Sequence, residues 1–223
     1  KVKIIIIGYG KMGKAIEKIA LTKKYKIHSI VNCQSDLKKI DLSTADIGIE
    51  FTNPKSAFEN ISFCLKSNLP VVSGSTGWLA ELKTIEKICE KYNGSFLHSS
   101  NFSLSMNKFL NVSKRLARDL KNYDISILEK HHIQKLDKPS GTALLLKNEI
   151  QKYYNKDIKV ISKREKDIKG IHTVFYKSAY DEIEITHSAK NRDTFARGAI
   201  MSAEWLVSKK GFYTFNDCFK NEK

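Results

Sequence analysis

The segment from Val2 to Ile7 contains four successive isoleucines and runs straight into Gly8, with Gly10 and Gly13 close behind. An apolar run without polar alternation suits a strand buried on both faces, as in a parallel sheet covered by helices. From Lys11 to Lys23 the pattern changes, and Met12, Ala15, Ile16, Ile19 and Ala20 recur at helical spacing. GxGxxG therefore sits at a strand-to-helix junction. There the first glycine permits a tight turn, the second lets a pyrophosphate approach the backbone, and the third allows helix and strand to pack closely. The phosphates then meet the helix N-terminus. A glycine-rich turn without a ligand would need the same residues, but this position after a buried strand favours a dinucleotide.

Strand and helix signals go on alternating, with strands expected over 27–31, 47–51, 69–73 and 95–98 and helices over 55–66 and 80–92. Parallel strands need crossovers, so this order predicts an α/β fold with an N-terminal Rossmann domain, a doubly wound parallel sheet. Beyond Phe102 the regular crossovers stop. A helix carrying Met106, Phe109, Leu110, Leu116 and Leu120 leads to a strand over 125–129. A second helix covers 140–154, and strands follow over 158–161, 171–176 and 182–187. This predicts a second, smaller α+β domain. An apolar helix over 195–207 then returns the chain to the first domain. The expected division is 1–102 plus 192–223 for the dinucleotide-binding domain and 103–191 for the other.

Bulk properties narrow the class. Hydrophobic residues at 41% and charged residues at 28% are ordinary globular usage, which argues against wholesale disorder. Lys plus Arg number 39 against 24 Asp plus Glu, a net charge of +15 that suits anionic ligands. The lysines are dispersed and no Arg-rich block or aromatic-interleaved motif occurs, so nucleic-acid binding is not expected. Cys33, Cys64, Cys89 and Cys218 form no CxxC pair and read as free buried thiols. The run Ile4 to Ile7 is far too short to span a membrane, and no signal-like stretch precedes it, so a cytoplasmic protein is expected.

Three further stretches could carry chemistry. Asn32 falls at the end of the second strand, where an acidic residue commonly binds a ribose 2′-hydroxyl; an amide there would not repel a 2′-phosphate, though a plain turn residue would look the same. The segments 74–77 (Gly-Ser-Thr-Gly) and 99–102 (Ser-Ser-Asn-Phe) follow two strands at the carboxyl edge of the sheet. Each alone reads as a turn; together they suggest a cofactor cleft. The third stretch, Glu129 to Ala143, reads EKHHIQKLDKPSGTA. It brings two histidines, a lysine three residues on and a helix start at Ser140 within fifteen residues. Pro139 ends the loop, Ser140 can cap the helix, and Gly141 lets a carboxylate approach free amides. Histidine titrates near neutrality and lysine is a movable cation, so both can deliver protons. A metal site would need further ligands, and His28, His98, His172 and His187 stand at no short ligand spacing, so no metal is expected.

EKHHIQKLDKPSGTA resembles the signature of the 4-hydroxy-tetrahydrodipicolinate (dihydrodipicolinate) reductase family. GYGKMG at 8–13, IEFTNP at 49–54, GSTG at 74–77, SSNFS at 99–103 and EITHSAKNRDTFARGA at 184–199 extend the resemblance over nearly the whole chain in the family's order. It implies hydride transfer from NADH or NADPH to a cyclic dicarboxylate in the biosynthesis of diaminopimelate and lysine. By position, His131 would be the proton donor or acceptor and Lys135 the proton donor, while His132, Gly141 and Thr142 would hold the substrate carboxylates. The cofactor would contact Gly8, Tyr9, Gly10, Lys11, Met12 and Gly13, then Asn32, then Gly74, Ser75 and Thr76, and lastly Ser99, Ser100, Asn101 and Phe102. Closure about hinges near Phe102 and Arg192 is implied as well.

The chain also departs from the family pattern. Between Arg164 and Gly170 it lacks a segment that in relatives carries an additional strand, and Ile171 stands where a Glu is common. Relatives assemble as tetramers through the sheet this shortens, so a homo-oligomer is still expected but the tetramer less so. Two rivals remain at this point. Another two-domain Rossmann dehydrogenase of amino-acid-like substrates would share GxGxxG but gives no reason for HHxxK before PSGT. A basic nucleotide-sensing or nucleic-acid-binding protein would fit the charge but lacks a binding motif.

Overall fold

A computed structural model describes residues 1–32, 34–191 and 193–220. Cys33 and the expected hinge position Arg192 lie outside the described residues. The chain divides into two compact units, Lys1–Ser103 with Arg192–Lys223, and Leu104–Asn191.

The first unit is a six-stranded parallel sheet in the order β10-β5-β4-β3-β1-β2. Its strands are β1 (Lys3–Ile7), β2 (Lys26–Val31), β3 (Ile47–Glu50), β4 (Val71–Ser73), β5 (Ser95–His98) and β10 (Gly211–Thr214). The four isoleucines of β1 show why the run is unbroken. Ile4 and Ile6 join a core with Ile16 and Ile19 of α1 (Lys11–Thr22) and Ile200 of α7 (Asp193–Leu206). Ile5 and Ile7 point the other way, into a core with Ile61 of α3 (Pro54–Lys66) and Ile85 of α4 (Leu82–Lys91). Each side chain so buried contributes on the order of 1.5–3 kcal/mol over an exposed one.

From β1 the chain winds outward to β2, then crosses to place β3 on the opposite flank of β1. Strand order thus reverses between β1 and β3, the position where open α/β sheets hold ligands beyond their carboxyl ends. Several short elements were not expected from sequence, among them two 3-10 turns at Leu42–Thr44 and Phe215–Phe219. Gln34–Leu37 forms a short helix, α2, and Gly211–Thr214 adds β10 beside β5, with Gly211 opposite Ser95 and Thr214 opposite His98. Cys64 and Cys89 are free and buried, and Cys218 is free but half-buried.

The second unit has a mixed sheet, β7-β6-β8-β9, built from β6 (Asp124–His131), β7 (Lys159–Arg164), β8 (Ile171–Lys177) and β9 (Glu182–Ser188). β6 runs parallel to β7 and antiparallel to β8. Helices α5 (Leu104–Asp119) and α6 (Gly141–Gln151) supply Met106, Phe109, Leu146 and Ile150 to a core with Ile125, Ile127, Val174 and Tyr176. Along β6 every second residue is buried, so Glu129 and His131 continue the row begun by Ile125 and Ile127. β6 extends two residues beyond the expected 125–129, which makes His131 a strand residue.

Candidate active site

Strand register assembles the polar cluster at the end of β6. On one flank Glu129 lies opposite Ser162 and His131 opposite Arg164; on the other Glu129 lies opposite His172. Glu129 is fully buried, and its carboxylate is committed on both oxygens. Oε2 is hydrogen-bonded to His131 Nδ1. Oε1 accepts from Arg164 Nη1 at 2.9 Å and from the Ser140 amide at 3.4 Å. Burial alone would raise the Glu129 pKa, but the Ser162 hydroxyl, the Arg164 guanidinium and the charge of His131 outweigh it and hold the carboxyl below its ordinary value.

His131 is 7% exposed. Burial pulls its pKa below the ordinary imidazole value, Glu129 works against that, and the charges of Lys135 and Arg164 add to it. With Nδ1 tied to Glu129, Nε2 is the ring nitrogen left for other work. Gly170 lies against this edge: a Cβ there would come within 3.1 Å of Nε2. His172 packs edge-on against His131 with ring centroids 5.1 Å apart. Burial and the neighbouring His131 push His172 down to about 4.

Sequence spacing kept His172 away from His131, and the structure corrects this: antiparallel pairing of β6 with β8 brings ligand-type atoms of Glu129, His131 and His172 within 4.8 Å of one another. The donor set nevertheless fits a hydrogen-bonded network better than a metal. Both Glu129 oxygens already have partners, and a guanidinium 2.9 Å from one of them would oppose a cation.

The loop beyond His131 is pinned by Arg164. Its Nε donates to the Lys135 carbonyl at 3.3 Å and its Nη2 to the Asp137 carbonyl at 2.5 Å. Lys135 Nζ reaches Asp137 Oδ1 at 2.7 Å. His132 is half-buried, and its Nδ1 is buried without a hydrogen-bond partner among the described residues. Ser140 caps α6 by accepting from the Ala143 amide at 3.2 Å. Gly141 is exposed, with no atom within 4 Å of where a Cβ would stand, and Thr142 beside it is half-buried.

In the first unit, Gly8 and Gly10 make a contrast. A Cβ on Gly8, at φ +96°, would meet the Phe51 carbonyl at 2.2 Å, whereas one on Gly10 would meet nothing within 4 Å. A Cβ on Gly13 would strike the Gly8 carbonyl at 2.2 Å. Gly10 is the N-cap of α1, no side chain caps the helix, and no acidic residue lies in its first turn. Its leading amides therefore suit an anion. Tyr9 hydroxyl bonds Glu17, Lys11 is exposed, and Met12 packs against the core. Asn32 is exposed just past β2.

The loops after β3 and β4 are tied together by a residue to which sequence reading gave no role. Glu50 is fully buried at the end of β3, and its carboxylate accepts from the Thr52 amide at 2.8 Å, the Thr52 hydroxyl, Ser73 Oγ at 2.5 Å and Ser75 Oγ at 2.7 Å. The Ser75 hydroxyl thus faces inward, while Thr76 is exposed. A Cβ on Gly74 would fall 2.0 Å from the Phe51 ring. After β5, Ser99 Oγ donates to the Asn101 carbonyl and Asn101 Oδ1 accepts from the Ser103 amide, each at 2.8 Å; Ser100 is exposed. Phe102 is 2% exposed and packs at a tilt against Phe51 and edge-on against Phe215, so only its backbone can face a ligand.

Two family models match the chain, one described as dihydrodipicolinate reductase, N-terminus, over residues 2–102, the other as dihydrodipicolinate reductase, C-terminus, over residues 105–219. The 4-hydroxy-tetrahydrodipicolinate reductase of Christiangramia forsetii is 41% identical over 239 aligned residues, covering 98% of this chain and 99% of that protein. The protein of the same description from Clostridium novyi is 35% identical over 253 aligned residues, with 99% of each covered. Among solved structures, dipicolinate-bound dihydrodipicolinate reductase from Paenisporosarcina sp. TG-14 matches with a TM-score of 0.84 at 20% identity, over 97% of this chain and 98% of that one. The amine dehydrogenase of Mycobacterium smegmatis shares the fold at a TM-score of 0.67 and 8% identity, over 97% and 95%.

Proposed function

The chain belongs to the dihydrodipicolinate reductase family, and from that premise we propose that it reduces 4-hydroxy-tetrahydrodipicolinate to tetrahydrodipicolinate with NADH or NADPH, in the synthesis of diaminopimelate and lysine. Net, a hydride takes the place of the 4-hydroxyl, and the hydroxyl leaves as water with the one proton taken up. The nicotinamide supplies the hydride when bound. Protons and substrate orientation are left to the protein.

The dinucleotide fits the first unit. The open backbone at Gly10 and the uncapped start of α1 suit a pyrophosphate, at the switch point between β1 and β3. Asn32 would face the adenosine ribose and, being uncharged, tolerates a 2′-phosphate. Gly74 to Thr76 and Ser99 to Phe102 would line the remainder. Ser75 acts there through its backbone, since its hydroxyl is spent on Glu50.

In the second unit, one observation carries the assignment: His131 is held through Nδ1 by a fully buried carboxylate, at the head of a loop leading to a cation, Lys135, and an open helix start, Gly141. His131 then exchanges a proton through Nε2, Lys135 serves as a proton donor, and His132, the Gly141 amide and Thr142 bind the substrate carboxylates. The rival nucleic-acid reading gives no reason for this network. Substrate-dependent oxidation of NADH or NADPH, with substrate generated by a coupled synthase, tests the proposal. A folded protein that oxidises neither would overturn it.

No helix among the described residues is long and apolar enough to cross a membrane; a cytoplasmic location agrees with the proposed pathway. We further propose a homo-oligomer formed through the outer face of the mixed sheet. Ile161 is 41% exposed there, beside half-buried Leu128 and, two rungs along β8, Phe175. A monomeric mass by light scattering would overturn that part.

A further inference from the structure

We propose that Asp137 competes with the substrate for its own carboxylate site. The inference rests on the assignment of Lys135 and Gly141 to substrate binding. One Asp137 oxygen lies 2.7 Å from Lys135 Nζ, and the other accepts from the Gly141 amide at 3.3 Å. A single carboxylate of the protein thus bridges a cation and a helix-start amide, the same pair of donors a substrate carboxylate would need.

A permanent brace would use the same bonds, but four observations favour a displaceable one. The Asp137 side chain is 53% exposed. Its backbone is fixed without it, because Arg164 holds the Asp137 and Lys135 carbonyls and is itself anchored on Glu129. Helix α6 is capped by Ser140, so the helix start does not depend on Asp137. Around Gly141 there is open space for an incoming carboxylate. Two anions cannot share one cation and one amide, so Asp137 swings out as substrate enters and returns as product leaves. Lys135 holds the Asp137 carboxyl below its ordinary pKa, so the competitor is ionised at neutral pH.

The test is titration of the cofactor-saturated protein with dipicolinate, a planar dicarboxylate. Removing an exposed ion-pair partner releases a modest gain, so Asp137→Asn should bind dipicolinate about threefold tighter and lower the substrate KM similarly, with NADH affinity unchanged. Asp137→Ser should do the same, which guards against a fault peculiar to one variant. Unchanged or weaker dipicolinate binding in folded variants overturns the proposal, since a brace could only lose affinity. Lys135→Ala separates the role of Asp137 from the assignment of the carboxylate site itself. Weaker dipicolinate binding in that variant supports the site assignment; binding equal to the parent chain means that assignment is wrong and the Asp137 proposal falls with it.

Discussion

Glu129 Oε2 is hydrogen-bonded to Nδ1 of His131, two residues along the same strand, and no solvent reaches the carboxylate. The strand's two-residue period makes this possible, since it turns both side chains to the helix-covered face. Arg164, from β7, keeps the carboxylate ionised.

Glu129 raises the His131 pKa against the pull of burial. Glu129→Gln keeps the shape and removes the charge, so the His131 pKa should fall further. If His131 reacts as an acid, the high-pH limb of kcat moves to lower pH, with kcat down by at least about tenfold at pH 7.5. His131→Ala should cost more, roughly 10²–10⁴-fold, the usual worth of a positioned acid or base. An unshifted profile in Glu129→Gln would remove Glu129 from the positioning of His131.

Stability should fall on mild acidification. The folded pKa of His172 lies near 4, below its ordinary 6.5, so between those values the unfolded chain binds a proton that the folded chain refuses. The contribution is complete above pH 6.5 and is lost as pH falls toward 4, on the order of 3 kcal/mol in all. Urea midpoints measured from pH 7.5 to 4.5 should therefore decline. In His172→Gln the decline should be shallower but not absent, because His131 and His187 are depressed as well. An equal slope in both proteins would contradict this.

Glu50 accepts four hydrogen bonds that knit together the loops after β3 and β4, the second of which is proposed to line the cofactor. Glu50→Ala strands the buried Ser73 and Ser75 hydroxyls, each worth about 1–3 kcal/mol without an acceptor, while the Thr52 amide keeps its bond to Ser75 Oγ at 2.8 Å. Loss of thermal stability is expected together with weaker NADH and NADPH binding. Trp78, whose indole Nε1 donates to the Ser75 carbonyl at 2.9 Å, gives a fluorescence probe of that loop. Cofactor titrations indistinguishable from the parent chain would show that Glu50 does not shape the cleft.

The glycines should separate by function. Gly10→Ala meets no atom within 4 Å, so stability should change by less than about 0.5 kcal/mol while dinucleotide affinity drops at least about tenfold. Gly13→Ala drives a Cβ into the Gly8 carbonyl and should destabilise the fold by about 1–3 kcal/mol or more. Unaltered cofactor binding by Gly10→Ala would place the pyrophosphate elsewhere.

Much of the fold was legible because period and run length carry it. The isoleucines of β1 and the helical spacing after Gly13 leave few alternatives. β10 escaped notice because Gly211–Thr214 is only four residues long, half-buried at a sheet edge, and alternates nothing. At the site, residues adjacent in sequence were readable, from His131 through Lys135 to Gly141. Ser162, Arg164 and His172 were not, since only strand register sets them beside Glu129. Glu50 was hidden for a related reason: its partners come from the loop after β3, the end of β4 and the loop beyond it, and a carboxylate ending a buried strand signals little by itself. The alternation along β6 could have exposed Glu129, for it sets an acid on the same face as Ile125 and Ile127.

In the proposed reaction a hydride from the nicotinamide replaces the substrate hydroxyl while His131 and Lys135 manage the protons. The most direct test runs the reaction with nicotinamide cofactor deuterated at its reactive carbon and locates the label in the product by NMR. One deuterium is expected, on the carbon that carried the hydroxyl, and none without enzyme. Product free of deuterium, or labelled at another carbon, would contradict the proposed reaction.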